Sequence, residues 1–110
     1  IMSIQTDSTP LEAPKDPNNC NVFALYKLLA TEAQTAQMAA NYRGGNYGFG
    51  HAKTALYELI LEKFAQPREK FAYYMDHLSQ VDEILREGAE KASQVAKQTL
   101  QRVREKLGYL

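Results

Sequence analysis

The sequence has few of the residues and segments that mark secreted, membrane-bound or metal-dependent proteins. It contains a single cysteine, Cys20, and no tryptophan, so that no disulfide can close within its 110 residues. No apolar run of about 18 residues indicates a signal peptide or a membrane-spanning helix, and we expect a cytoplasmic protein with no membrane partner. The 13 basic and 13 acidic residues cancel, which excludes a strong overall attraction to nucleic acid or lipid.

Catalytic motifs are equally scarce. The sequence contains neither GxGxxG nor GxxxxGK[ST], no serine in a GxSxG context, and no cysteine and histidine spacing typical of zinc. Its two histidines, His51 and His77, are 26 residues apart. We therefore expect no catalytic residue, no metal ion and no cofactor within this chain.

The first twenty residues predict an extended arm. Pro10, Pro14 and Pro17 interrupt any continuous helix or strand, because proline fixes φ and has no backbone donor. We expect 1–20 to be a linker and 21–110 to be a helical domain. Since the chain does not begin with methionine, it is expected to be a fragment of a longer protein.

Apolar residues at steps of three and four predict helices throughout the remainder. The segment 22–29 forms a first short helix after an Asn-rich start. Thr31 and Gln34 have the spacing of a capping box, which predicts that a second helix begins there and ends near Tyr42.

A third apolar stripe covers 52–64 and resumes beyond Pro67. Proline removes one intrahelical hydrogen bond and crowds the preceding turn, so we expect this helix to be kinked or broken near Pro67. Ser79 with Asp82 is expected to cap a final long helix that Gly108 ends. The predicted fold is all-α, a small bundle of four to five helices with an extended N-terminal arm.

The final predicted helix has two kinds of surface. Gly88, Ala89 and Ala92 lie on its apolar stripe and predict a close crossing with another helix. A basic face is expected near its C-terminus, where Arg102 and Arg104 are candidates for phosphate contacts. The alternative is a solvated helix end whose cations complement the helix dipole.

One segment, 44–53, has the composition of a ligand-binding loop. Four glycines and two aromatic residues precede a helix that carries Lys53 near its start. Glycine lets a backbone approach another molecule closely, and a helix N-terminus attracts anions, so a phosphate is an expected partner. A plain turn between two helices is the alternative.

Five segments occur in a characteristic order: Asn-Val-Phe-Ala-Leu-Tyr at 21–26, Tyr-Arg-Gly-Gly-Asn-Tyr-Gly-Phe-Gly-His-Ala-Lys at 42–53, Pro-Arg-Glu at 67–69, Ile-Leu-Arg-Glu-Gly-Ala-Glu-Lys-Ala at 84–92 and Val-Arg-Glu-Lys-Leu-Gly at 103–108. Together they resemble the C-terminal part of bacterial tryptophanyl-tRNA synthetase. The opening, 1–8, is similar to the end of a helix and the Thr-Asp-Ser turn that follow the family's Lys-Met-Ser-Lys-Ser loop. The resemblance covers essentially the whole chain.

The resemblance implies a helical domain that binds the anticodon region of tryptophan tRNA. In the whole enzyme this domain is attached to an N-terminal class I Rossmann domain, which uses ATP and Mg and forms a homodimer. The family's His-Ile-Gly-His type signature and its Lys-Met-Ser-Lys-Ser loop do not occur in these 110 residues. No catalytic residue is therefore carried over, and the fragment alone is expected to be inactive.

The resemblance also implies a role for Lys53, which closes the family's Gly-x-x-Lys turn, as an anticodon contact. Arg43, Tyr47 and Phe49 lie with it in a stretch of eleven residues. Proteins recognise RNA loops by stacking unpaired bases on aromatic rings and by placing cations at phosphates, and these four side chains supply both groups. For the two aromatic residues the alternative is packing at the base of the loop against the core.

A second candidate edge lies in the linker, at Thr6, Asp7 and Ser8, because the family's architecture places that connection beside the helical domain. Two other interpretations stay open. One is the appendage of a tyrosyl-type synthetase, and the other is a helical protein-interaction module without RNA binding.

Overall fold

The computed structural model describes residues 1–109 and contains no strand among them. A short 3₁₀ helix at Pro17–Asn19 precedes five α-helices: α1 (Asn21–Leu29), α2 (Glu32–Gly44), α3 (Phe49–Lys63), α4 (Ala65–Asp76) and α5 (Leu78–Leu107). The all-α class and the number of helices that the apolar periodicity predicted are confirmed.

The chain divides into two compact units, the first comprising Ile1–Gln66 and the second beginning at Pro67. The first unit contains the arm and α1 to α3, and every buried residue among those described belongs to it. The arm is thus part of a folded unit. The expected boundary after residue 20 stays a prediction, because it concerned a connection to a domain outside these residues.

The core of the first unit lies where α1 packs against α2 and α3. Each helix contributes residues three or four apart, which share one side of a helix. The buried set is Val22, Phe23, Tyr26, Met38, Ala39, Tyr42, Ala52, Leu56 and Leu59.

Tyr42 is fully buried in this core. Its hydroxyl lies 3.3 Å from the Sγ atom of Cys20, and its ring contacts Phe23 with the centroids 5.7 Å apart. Burial raises the pKa of the Tyr42 phenol far above its ordinary value, and the contact with Cys20 acts in the same direction. The phenol therefore stays neutral in the folded chain.

Two helix ends form as the sequence predicts. At the start of α2, the Thr31 N–H donates to Gln34 Oε1 at 2.9 Å, and the Gln34 N–H donates to Thr31 Oγ1 at 3.3 Å. At the end of α5, Gly108 has a φ of 75°, and the Tyr109 N–H donates to the Arg104 carbonyl at 2.8 Å. The second arrangement is a Schellman motif, for which a left-handed glycine is suited.

The expected break near Pro67 is confirmed. Helix α3 ends at Lys63, and Phe64 leaves the helical region with φ −103° and ψ 16°. Helix α4 then begins at Ala65, with Pro67 as its third residue. In a continuous helix the proline ring would clash with the Lys63 carbonyl and leave it without its donor, so the break falls just before that position.

One expectation for α5 is wrong. Ser79 does not cap this helix, because α5 begins at Leu78 and His77 is its N-cap residue. The His77 ring stacks on Tyr73 with the centroids 4.2 Å apart, and Nδ1 lies 2.7 Å from the Tyr73 carbonyl oxygen. These contacts fix His77 as the one residue between α4 and α5. The close crossing expected at Gly88 is not made with any of the described residues, since a Cβ atom there would meet nothing within 4 Å, and it stays a prediction.

Candidate nucleic-acid interface

The glycine-rich segment contains a loop of only four residues, 45–48. Helix α2 continues through Gly44, and α3 already begins at Phe49. Gly45 has a φ of 72° and Asn46 a φ of 55°, and these left-handed conformations end α2. The Gly48 N–H then donates to His51 Nδ1 at 3.2 Å, so that the imidazole caps the start of α3.

Gly45 closely approaches the chain's own arm. A Cβ atom at Gly45 would lie 2.5 Å from the Glu12 carbonyl oxygen, and one at Gly48 would lie 3.0 Å from Leu11 Cδ1. The Asn46 N–H donates to the same Glu12 carbonyl at 3.4 Å. The need for glycine at Gly45 therefore comes from the arm, and the expectation that glycine served a ligand's approach is corrected there. An anion at the first turn of α3 stays a prediction.

Lys15 holds the arm in a tight turn. Its side chain is buried, and Nζ donates to three backbone carbonyls, those of Pro10 at 2.9 Å, Leu11 at 3.3 Å and Ala13 at 3.1 Å. Sequence reasoning missed this residue, because a single lysine among prolines and acidic residues is typical of a solvated linker. The sequence contains no spacing pattern that would have identified it.

The same lysine connects the arm to the helices. Its ammonium lies 5.4 Å from the centroid of the Phe49 ring, and its backbone N–H donates to the Tyr42 carbonyl at 2.7 Å. A cation over an aromatic face is attracted by the ring quadrupole. The arm, the end of α2 and the start of α3 are therefore fixed to one another around Lys15.

Tyr47 and Phe49 are half-buried and pack on the core. Their ring centroids lie 5.9 Å and 6.3 Å from that of Tyr42, the second in an edge-to-face arrangement. Tyr47 also contacts the His51 ring at 5.6 Å, and burial raises the pKa of its phenol. The structure thus supports the packing alternative for both rings, while part of each remains accessible to solvent.

Lys53 contacts the first residues of the arm. Its Nζ donates to the Met2 carbonyl at 3.1 Å, and in α1 the Asn21 side chain donates to the Gln5 carbonyl at 3.4 Å. Ile4, between these two contacts, packs against the core. The arm up to Gln5 is therefore held against the starts of α1 and α3.

The predicted arm residues Thr6, Asp7 and Ser8 continue directly from this fixed segment. Thr6 is half-buried, whereas Asp7 and Ser8 are exposed. Asp7 Oδ1 accepts a hydrogen bond from the Thr9 N–H at 2.8 Å, and hydrogen bonding to Thr9 lowers the pKa of this carboxyl. An ionised carboxylate repels phosphate but accepts from base amino groups, so Asp7 is suited to a base edge.

The three candidate arginines belong to two different units of the chain. Arg43 is exposed in the last turn of α2, in the first unit, whereas Arg102 and Arg104 are exposed on α5, in the second. At about 100° per residue, Arg102 and Arg104 point to opposite sides of the helix. The single basic face expected near the C-terminus is therefore wrong. Its cations divide into two sets, Lys91, Arg102 and Lys106 in one and Lys97 and Arg104 in the other.

Among residues 1–109, no group of three or more histidine, cysteine, aspartate or glutamate side chains is placed to hold a metal ion. In the same part of the chain, no helix is both long enough and apolar enough to cross a membrane.

Comparisons with known proteins give a consistent result, although no family model matches the chain. The chain is 42% identical over 108 residues to the tryptophan-tRNA ligase of Campylobacter jejuni, covering 98% of this chain and 34% of the relative. The corresponding protein of Rhodopirellula baltica is 44% identical over 108 residues, with the same coverage. The crystal structure of tryptophanyl-tRNA synthetase from Campylobacter jejuni complexed with ADP and tryptophan matches with a TM-score of 0.92 and 41% identity. That match covers 97% of this chain and 34% of the other.

The chain therefore spans about one third of the length of the relatives it matches. The matched third is their C-terminal part. The resemblance inferred from five short segments is confirmed as a relation over almost the entire chain.

Proposed function

We propose, from the homology of this chain to the C-terminal third of tryptophan-tRNA ligases, that it is the tRNA-recognition part of such an enzyme. It binds the anticodon region of tryptophan tRNA, and the N-terminal class I domain charges that tRNA with tryptophan, using ATP and Mg. The complete protein acts in the cytoplasm and is a homodimer through the catalytic domain. The observation that carries the proposal is the 42% identity over 98% of the chain to a relative of that name.

The geometry around loop 45–48 supports an interface with unpaired bases. Arg43 and Lys53 come from the two helices that this loop joins. Tyr47 lies in the loop and Phe49 follows it, and part of each ring is accessible to solvent. Asp7 adds an acceptor from the arm. Proteins bind RNA loops with groups of these kinds: cations for the phosphates, ring surfaces on which bases stack, and carboxylates that accept from base amino groups.

The test is a titration of the complete protein with tryptophan tRNA, with the same tRNA carrying an altered anticodon, and with tyrosine tRNA. We expect tight binding of the first and clearly weaker binding of the other two. Each titration is repeated at several salt concentrations, because phosphate contacts add affinity that falls with salt whatever the sequence. Equal affinity for native and altered anticodons at every salt concentration would contradict anticodon recognition.

A helical protein-interaction module remains the second candidate, because large apolar side chains such as Phe71, Leu85 and Val95 are exposed in the second unit. The same titration separates the two candidates. Absence of tRNA binding by the complete protein, together with a stable protein complex, would favour the interaction module. A preference for tyrosine tRNA would instead indicate the tyrosyl-type appendage.

A further inference from the structure

His51 uses only one of its two ring nitrogens to cap the start of α3. The Gly48 N–H donates to Nδ1 at 3.2 Å, so Nδ1 carries no proton and the neutral ring holds its proton on Nε2. The side chain is exposed, and no acceptor within residues 1–109 takes a hydrogen bond from Nε2. The loop therefore presents one N–H donor to solvent at this position.

The imidazole is also held by a ring contact. Its centroid lies 5.6 Å from that of Tyr47, with 38° between the two planes, and Tyr47 in turn packs on the buried ring of Tyr42. The cap and this contact together restrict the orientation of the His51 side chain. A donor that is oriented before binding loses little side-chain entropy when a ligand accepts from it.

Histidine is not the residue that would stabilise this helix start most. His51 is the third residue of α3, the position at which a glutamate commonly accepts from the N-cap N–H. A carboxylate there would also be stabilised by the helix dipole. A neutral imidazole gives up that gain, but it adds a donor to the loop and places no negative charge where the phosphates of an RNA would come.

We propose that His51 is a specificity-determining residue, whose Nε2–H donates to an acceptor atom of an unpaired base in the anticodon region of the bound tRNA. The inference rests on the proposed function. Unpaired bases expose carbonyl oxygens and ring nitrogens as acceptors, and an N–H donor distinguishes these atoms from amino groups.

This role is separate from that of Lys53. The two residues are two positions apart, about 200° around α3, so their side chains leave the helix on different sides. The Lys53 ammonium donates to the Met2 carbonyl of the arm, whereas the His51 ring lies against Tyr47 of the loop. The two side chains are therefore expected to contact different parts of the tRNA.

Two neutral amides separate the donor of His51 from its cap. The Oδ1 atom of an asparagine lies as many bonds from Cβ as Nδ1 does, so His51→Asn can still accept from the Gly48 N–H, but its amide nitrogen does not reach the position of Nε2. In His51→Gln the longer side chain can accept from the same N–H, as in a capping box, and also present an N–H donor further out. Thermal unfolding of the complete protein checks that both variants are folded.

Binding of tRNA by the complete protein tests the contact. Wild type and both variants are titrated with native tryptophan tRNA and with three tRNAs that each carry one changed anticodon base. We expect His51→Asn to weaken binding of the native tRNA by about ten- to a hundredfold, the range for a lost base contact. Binding of the tRNA in which the contacted base is already changed should stay the same, and His51→Gln should recover part of the loss.

The outcomes distinguish failure of this inference from failure of the proposed function. Wild-type discrimination that persists in His51→Asn would overturn the inference alone. Equal weakening for native and altered tRNAs, with a shallower salt dependence, would indicate a phosphate contact and would also overturn it. If the wild-type protein already binds native and altered tRNAs equally, the proposed function fails and the inference fails with it.

Discussion

At the scale of single residues, the arm of the first unit is held by a side chain that composition alone would place in solvent. The Lys15 ammonium exchanges its hydration for three carbonyls and an aromatic face. A charged donor of this kind stabilises more than a neutral one, because its positive charge strengthens each hydrogen bond to a carbonyl oxygen.

We expect Lys15→Met to destabilise the protein by about 2 to 3 kcal/mol, because hydrogen bonds to a charged group are worth that order when lost. The measurement is thermal unfolding of the complete protein followed by circular dichroism. Lys27→Met, on the exposed side of α1, is the control and is expected to leave the midpoint unchanged. Equal midpoints for the two variants would show that the Lys15 contacts contribute nothing net.

The buried phenols predict how stability depends on pH. Burial raises the pKa of Tyr42 and Tyr47 in the folded state, so above about pH 10 the unfolded chain loses protons that the folded chain keeps. Stability is therefore fully present below that pH and falls as the pH rises further. We expect Tyr42→Phe to flatten this alkaline decline, as measured by denaturant unfolding between pH 8 and pH 11. An unchanged slope would mean that Tyr42 ionises normally in the fold.

A substitution at Lys53 tests whether this residue reads the anticodon or only attracts the phosphates of the tRNA. In the complete enzyme, Lys53→Ala is expected to cost about 1 to 3 kcal/mol of cognate tRNA binding and to narrow the gap to noncognate tRNA. Arg104→Ala is the contrasting variant, for which cognate and noncognate binding weaken equally and the salt dependence becomes shallower. Circular dichroism checks that both variants are folded. If the Lys53 variant still discriminated fully between cognate and noncognate tRNA, Lys53 would have no role in reading the anticodon.

At the scale of elements, the sequence predicted correctly those helix ends that depend on residues close together in the chain. The capping box at Thr31, the helix end at Gly108 and the break before Pro67 each follow from residues within one or two turns. One failure was local and the other was tertiary. The start of α5 falls earlier than expected, directly after His77, whose ring stacks on Tyr73 four positions before it, whereas the reason for Gly45 is a carbonyl more than thirty positions earlier in the chain.

In the candidate site, too, some features could be predicted from the sequence and others could not. Its residues could be named from the resemblance, but their surroundings could not, since the turn held by Lys15 is specified by no periodic pattern. The packing of Tyr47 and Phe49 on Tyr42 is likewise a contact that no spacing rule specifies. A linear sequence does not show which of two equivalent glycines faces a neighbour and which faces open space.

Gly45 and Gly50 therefore provide a matched pair of sites for substitution by alanine. At Gly45 a methyl group would meet the Glu12 carbonyl in a left-handed conformation, whereas at Gly50, in the first turn of α3, it would meet nothing within 4 Å. We expect Gly45→Ala to destabilise by about 1 to 3 kcal/mol and Gly50→Ala to stabilise by about 0.5 to 1 kcal/mol. Thermal unfolding measures both, and a stabilised Gly45 variant would show that the arm does not hold this loop.

At the scale of the whole molecule, the proposed function assigns the chemistry and the recognition to different parts of the polypeptide. A class I synthetase of this family activates its amino acid with a signature and a loop that these 110 residues do not contain. We therefore expect tRNA binding without catalysis from the 110-residue chain when it is separated from the N-terminal part.

We expect the 110-residue chain alone to give no tryptophan-dependent exchange of pyrophosphate into ATP and no charging of tRNA, while the complete protein does both. The reason is that positioning and charge stabilisation by the ATP-binding segments supply most of the rate, and recognition of a distant anticodon cannot replace them. Adding the purified fragment to the separately expressed N-terminal part gives a further comparison. Charging that returns on mixing would show that the two parts find each other without a covalent link, whereas pyrophosphate exchange by the fragment alone would refute the division.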